Sequence, residues 1–162
     1  MERARLNRMV QKYGDTVYKI AVVILRNPDD ADDALQETFL RYFRKAPEFE
    51  SSEHEKAWII RCATHVAKGM LRSNFRHKHE PLRENLAAAE YRRNDLPEMV
   101  LQLPLKERMI LQLHYVEGYT AEEIAKMMSL SSAATVRKRM ERARKKLKEL
   151  YDQQASTLKA GL

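Results

Sequence analysis

Cysteine is almost missing from this sequence of 162 residues. Cys62 stands alone, which excludes an internal disulfide and any cysteine-clustered zinc or iron–sulfur site. A lone thiol also fits a reducing compartment. Glycine is nearly as scarce, with four residues, so collagen-like repeats are excluded. The same scarcity argues against Gly-rich phosphate loops and turn-dense β architectures. Long apolar runs are lacking too. The longest strictly apolar stretch, Ile20 to Leu25, is far short of a membrane span. The opening segment MERARLNRMVQKYG has no hydrophobic stretch of the kind that directs secretion. The expectation is a soluble, cytoplasmic chain with no membrane insertion.

What the sequence does have is charge. Charged residues make up 33% and apolar residues 44%, enough apolar material for a core. Thirty Lys and Arg stand against 23 Asp and Glu, a net charge of +7. A basic balance suits nucleic acid or another anionic surface. The distribution is more telling than the sum. From Asp29 to Glu55 there are nine acids and three bases, whereas from Lys56 to Lys78 there are six bases and no acid.

The apolar spacing predicts helices throughout, with no strand pattern and no internal repeat. Tyr13, Val17, Ile20 and Ile24 form one stripe of a helix over Leu6 to Leu25. Asn27-Pro28 ends it, because the residue before proline is pushed out of the helical region. Asp29 and Asp30 offer the next N-cap and suit the positive end of the helix. In that second helix Ala31, Ala34, Leu35, Thr38, Phe39, Tyr42 and Phe43 recur at helical steps. Its solvent face carries Asp29, Asp30, Asp32, Asp33 and Glu37. A third helix opens at Ser52, with Glu55 completing a capping box. Trp58, Ile59, Cys62, Ala63, Val66 and Met70 make its apolar face, and Arg61, His65, Lys68 and Arg72 the opposite one. Residues 73–95 turn polar and read as a flexible linker, with a short helix around Leu82 to Tyr91.

A second helical unit starts near Leu96. Pro104 opens a helix that Gly118 ends. Thr120 with Glu123 forms a capping box before a short helix through Met128. After a turn at Ser129 to Ser132, Val136, Met140, Ala143, Leu147 and Leu150 line one stripe of a final helix, which frays over its last dozen residues. The expected organisation is all-α, with two small helical domains over 1–72 and 96–152, the linker 73–95 between them and a frayed tail over 153–162.

The strongest functional signal is Thr120 to Lys148. A capped short helix, a tight turn and a basic helix make a helix-turn-helix. Such a helix fits the major groove, and its early exposed side chains reach base edges. Arg137, Lys138, Glu141 and Arg142 share the face opposite Val136 and Met140, and Lys145 extends it. A bare basic helix is as readily a solvated face. The capped helix before it, with small Ala125 where two helices cross, favours the nucleic-acid reading. On the third helix a solvated basic face is the simpler account taken alone, and a lone Trp on an apolar stripe is ordinarily core. Two basic faces either side of a linker nevertheless suggest one long nucleic acid held at two places. The acidic start of the second helix cannot be a DNA surface. Asp33, Gln36 and Glu37, on consecutive turns, suit a protein-docking face or a solvated helix end.

These stretches resemble the extracytoplasmic-function (ECF) sigma factors of the bacterial sigma-seventy family. The resemblance lies in YGDTVYKIAVVILRNPDDADDALQETFLRYFRK, AWIIRCATHVAKGMLR, LPLKERMILQLHYVEGYTAEEIAKMM and TVRKRMERARKKL, in that order. It implies a sigma region 2 in the first unit and a region 4 in the second. It further implies promoter recognition and initiation as a subunit of RNA polymerase. By resemblance, Asp33, Gln36 and Glu37 dock on the β′ clamp helices. Trp58, Arg61, His65, Lys68 and Arg72 lie in the segment that recognises and melts the minus-ten element, and the loop Pro47 to Lys56 captures a flipped base. Thr135, Arg137, Lys138, Glu141, Arg142 and Lys145 face the minus-thirty-five element. The implied partners are the polymerase core, through its β′ clamp helices and β flap, promoter DNA, and an anti-sigma factor. No cofactor and no metal is implied. Three departures from the family stand out. His65 replaces a common Asn, Gly69 replaces a common Asp and is expected to weaken or kink the third helix, and the usual G-I-S-x-G-T-V turn reads SLSSAATV, one residue longer and without glycine.

Other readings are a helix-turn-helix regulator acting without polymerase, a helical enzyme and a protein-only adaptor. A regulator has no need of the acidic docking face. An enzyme lacks a site: His54, His65, His77, His79 and His114 are scattered, His77 and His79 have the wrong spacing for one helix face, and no Ser or Cys has a nearby base. An adaptor leaves the basic helix unexplained.

Overall fold

The computed structural model describes residues 2–76 and 98–161, which belong to two compact units. The described residues are helical, with no strand among them. The expected linker from residue 77 on, including the short helix around Leu82 to Tyr91, lies outside the described residues.

The first unit packs three helices pairwise, α1 (Glu2–Leu25), α2 (Pro28–Lys45) and α3 (Ser52–Arg76). Helix α1 begins four residues earlier than the apolar stripe required. Tyr13, Val17, Ile20 and Ile24 are all buried, and Ala21 to Val23 join them where the helix is covered on more than one side. The N-cap of α2 is Asn27 rather than an aspartate. Its side-chain oxygen accepts from the Asp29 and Asp30 N–H groups at 3.0 and 3.2 Å, with Pro28 at the first helical position. Phe43 leaves the expected stripe and is 37% exposed, beside Leu40 at 48%.

Helix α3 buries Ile59, Ile60, Ala63, Val66 and Ala67. Burying an isoleucine of this kind contributes about 1.5–3 kcal/mol. The capping box expected at Ser52 does not form. Ser51 holds the first turn instead, its hydroxyl accepting from the His54 N–H and its carbonyl from the Glu55 N–H, both at 3.1 Å. The Glu55 carboxylate reaches other helices. Gly69 causes no break in α3, and nothing lies within 4 Å of where its Cβ would sit.

The second unit comprises α4 (Glu98–Leu101), α5 (Leu105–Leu111), α6 (Ala121–Met127) and α7 (Ala133–Ala160). Between α5 and α6 the backbone loosens into a π turn over Gln112–Val116, inside the stretch expected to be one helix from Pro104 to Gly118. Gly118 then ends the segment at φ +80°, a conformation that glycine adopts without a Cβ clash. Leu103, Met109, Ile110, Leu113, Ile124 and Val136 are the innermost side chains. Helix α7 does not fray near residue 152 but continues to Ala160, and α4 packs against this helix.

Candidate nucleic-acid interface

Helices α6 and α7 form the expected helix-turn-helix. The capping box of α6 is complete: the Glu123 N–H donates to Thr120 Oγ1 at 3.2 Å, and the Thr120 N–H donates to Glu123 Oε2 at 2.8 Å. Two satisfied N–H groups fix where α6 starts. Ala121, Ile124 and Ala125 are buried as α6 packs on α7, whose Val136, Met140 and Ala143 are buried in turn. The turn needs one left-handed residue, and Ser129 supplies it at φ +55°. Ser132 then caps α7, its hydroxyl accepting from the Thr135 N–H at 3.3 Å.

With Val136 and Met140 turned inward, Arg137, Lys138, Glu141, Arg142 and Lys145 are all exposed, on the face that their spacing required. Thr135 is half-buried. Its hydroxyl lies 3.0 Å from Ser131 Oγ and 3.2 Å from Ser132 Oγ, inside the turn rather than out on the helix face.

The basic side chains of α7 divide by what they touch. Arg137 is ion-paired with Glu122 at the start of α6. The Glu122 carboxyl is held below its ordinary pKa, first by its own backbone N–H and then by the Arg137 charge. Arg139 reaches inward to Glu107 on α5 at 3.0 Å. Arg144 donates to the Tyr115 hydroxyl at 2.8 Å with its guanidinium 5.8 Å from the ring centroid. Lys138, Arg142 and Lys145 have no hydrogen-bond or ion-pair partner among the described residues. Of the basic residues expected on this face, Lys138, Arg142 and Lys145 can therefore meet a nucleic acid without first giving up an internal contact, whereas Arg137 must leave Glu122.

In the first unit Arg61, His65 and Arg72 are exposed along α3 and Lys68 is half-buried, while Ile59, Ala63 and Val66 face inward. Trp58 is neither core nor free. It meets Tyr42 edge-on at 5.9 Å and Phe49 at 5.9 Å. Phe49 stacks on Tyr42 at 6.2 Å with the rings 13° apart, and His54 meets Phe49 edge-on at 5.4 Å. An aromatic shelf thus stands beside the basic face of α3. Of the segment Pro47 to Lys56, residues 52–56 belong to the first turns of α3, so the loop itself spans only 46–51. Sequence reasoning missed Phe49, whose only signal was an aromatic residue in an otherwise polar loop.

On α2, Asp33 and Gln36 are exposed and Glu37 is half-exposed, paired with Arg41 one turn on at 3.1 Å. Burial, then the neighbouring charges of Asp29 and Asp33, raise the carboxyl pKa of Asp32. This crowding of acids is what the sequence pattern foresaw. The described residues hold no group of His, Cys, Asp or Glu able to bind a metal ion, and no helix among them is long and apolar enough to cross a membrane.

Comparison with known proteins matches both units. A sigma-70 region 2 model matches residues 9–77, and a sigma-70 region 4 model matches residues 93–147. The chain is 30% identical to the probable RNA polymerase sigma factor RfaY of Xanthomonas campestris, over 95% of this chain and 42% of that protein. It is 29% identical to the ECF RNA polymerase sigma factor SigE of Mycolicibacterium smegmatis, over 93% of this chain and 63% of that protein. The chain thus spans less than two thirds of either relative. Among solved structures, the sigma factor RpoE of Bartonella quintana, in complex with the anti-sigma factor NepR, matches with a TM-score of 0.70. That match is 19% identical and covers 90% of this chain and 96% of the other, a likeness of fold.

Proposed function

This chain belongs to the sigma-70 family, within its extracytoplasmic-function group, and on that premise we propose that it directs core RNA polymerase to specific promoters and initiates transcription there. The observation that carries the reading is the pairing of two unlike faces in one chain, the first within the region 2 match and the second within the region 4 match. One is an acidic face at Asp33, Gln36 and Glu37. The other is a capped helix-turn-helix exposing Lys138, Glu141, Arg142 and Lys145. A regulator that worked without polymerase would account for the second face and not for the first.

In this reading Asp33, Gln36 and Glu37 dock on the β′ clamp helices, and the second unit also meets the β flap. Arg61, His65, Lys68 and Arg72 of α3, with Trp58 beside them, meet the minus-ten element. Lys138, Glu141 and Arg142 read the minus-thirty-five element, with Arg137 released from Glu122 to join them and Thr135 helping to set the turn. Lys145 binds phosphate. Arg and Lys can donate to guanine, and Glu141 can accept from cytosine. The protein acts as a cytoplasmic binding subunit rather than as an enzyme. The solved relative's partner, an anti-sigma factor, supports restraint of this chain by a protein of the same kind.

The test is transcription in vitro with bacterial core polymerase on a genomic library. Discrete start sites that need both core and this chain bear the reading out. DNA binding that is equally specific without core, and no transcript with it, refutes it in favour of a regulator.

A further inference from the structure

The Glu55 carboxylate is where the three helices of the first unit are tied together. It lies in the first turn of α3, and its side chain is only 18% exposed. One oxygen, Oε1, accepts from the Tyr13 hydroxyl of α1 at 2.7 Å. The other, Oε2, accepts from the Tyr42 hydroxyl of α2 at 2.9 Å. Lys12 Nζ stands 3.7 Å away and offsets the charge. Hydrogen bonds to an ionised acceptor are about twice as strong as neutral ones. Burial, followed by the hydrogen bond and charge of Glu55, raises the Tyr42 phenol above its ordinary pKa against the opposing effect of Arg5; Met9 Sδ, at 3.9 Å, is the more distant acceptor.

Two consequences follow from that geometry. A helix advances about 100° per residue, so a first turn pinned to both neighbours fixes which way the whole helix faces. That sets the outward direction of Arg61, His65 and Arg72. Tyr42 is also the centre of the aromatic shelf, stacked on Phe49 and edge-on to Trp58. Holding the Tyr42 hydroxyl therefore holds the ring on which the 46–51 loop rests through Phe49.

We infer that Glu55 is a positioning residue for promoter opening, acting through Tyr42 to hold the Tyr42–Phe49–Trp58 shelf against the basic face of α3. The inference rests on the proposed function and adds to it a residue that touches no DNA. The two phenols separate its roles. Tyr13 braces the bundle alone, whereas Tyr42 braces both the bundle and the shelf.

The test compares Glu55→Gln, Tyr42→Phe and Tyr13→Phe in the full chain with core polymerase on a promoter that the wild-type chain opens. Glu55→Gln removes the charge behind both bonds and leaves only one acceptor oxygen, and Tyr42→Phe removes the bond to the shelf; each should cost about tenfold in permanganate-reactive open complex at saturating protein. Closed-complex affinity should stay within about twofold, because each variant keeps at least one bond from the first turn of α3 to a neighbouring helix, and so should opening by Tyr13→Phe, which keeps the bond to the shelf. Trp58 is the only tryptophan, so its emission in the free protein reports the shelf without polymerase. It should shift in the first two variants and not in the third. If opening falls in proportion to melting temperature across all three variants, Glu55 merely stabilises the bundle and the inference is overturned. It is overturned too if Trp58 emission shifts while opening is unchanged. A wild-type chain that opens no promoter with core refutes the proposed function, and the role of Glu55 falls with it.

Discussion

Removing Glu107 should unseat the recognition helix from below. Glu107 lies on α5 with its side chain 11% exposed, and it accepts from Arg139 of α7 at 3.0 Å. Arg139 is 27% exposed, and its buried Nε has no partner in the described structure. Glu107→Ala therefore strands a largely buried guanidinium. Breaking a fully buried pair in this way costs about 3–5 kcal/mol. Water reaches part of Arg139 and replaces some of the lost interaction, which brings the expected loss to about 2–3 kcal/mol. In a unit this small, each kcal/mol moves the melting temperature by about 4–8 °C, so the second unit should melt roughly 10–20 °C lower. Trp58 sits in the first unit, so its fluorescence follows that unit while circular dichroism follows both. The dichroism transition should split or broaden downward while the fluorescence transition stays in place. A double variant, Glu107→Ala with Arg139→Met, should recover most of the loss, because an apolar pair replaces a broken ionic one. A Glu107→Ala protein within about 0.5 kcal/mol of wild type would refute the assignment, since that is the range of an ordinary surface substitution. Failure of the double variant to recover would refute it as well.

Three further outcomes are expected. Ser129→Gly should stabilise the second unit by about 1 kcal/mol, because the serine pays a left-handed conformational cost that glycine does not; a lower melting temperature would show that the Ser129 side chain matters more than its backbone. Asp33→Lys with Glu37→Lys should weaken core binding in a pull-down while leaving the helical dichroism unchanged, since Asp33 is exposed and the Glu37 side chain is 45% exposed; unaltered core affinity would remove the docking face from α2. Arg142→Ala should relax one position in a selection of upstream promoter elements, at about 1–3 kcal/mol, whereas Lys145→Ala should leave the motif alone and lower the salt dependence of binding; equal weakening of every sequence by Arg142→Ala would make Arg142 a phosphate contact.

What the sequence determined by itself was local. The stripe through Tyr13, Val17, Ile20 and Ile24, the capping box at Thr120 and Glu123, and the shared face of Arg137, Lys138, Glu141 and Arg142 all depend on residues three or four apart. Helical geometry brings such residues together whatever the rest of the chain does. Even there, two near-equivalent caps could be exchanged: Asn27 took the place of Asp29 or Asp30, and Ser51 that of Ser52. Tertiary structure decided whatever joins distant residues. Glu55 looked like a capping acid, and only packing placed Tyr13, 42 residues away, and Tyr42, 13 residues away, on its two oxygens. Nothing in the local pattern singled out Glu107, and only packing brought Arg139 of α7 to it across 32 residues. The left-handed turn at Ser129 belongs to the same class, because the close packing of α6 on α7 over-determines a conformation that serine by itself disfavours. A repeating pattern records which face of a helix turns inward. It does not record which side chain of another helix waits there, because that is fixed by the crossing of the two helices and not by the period of either.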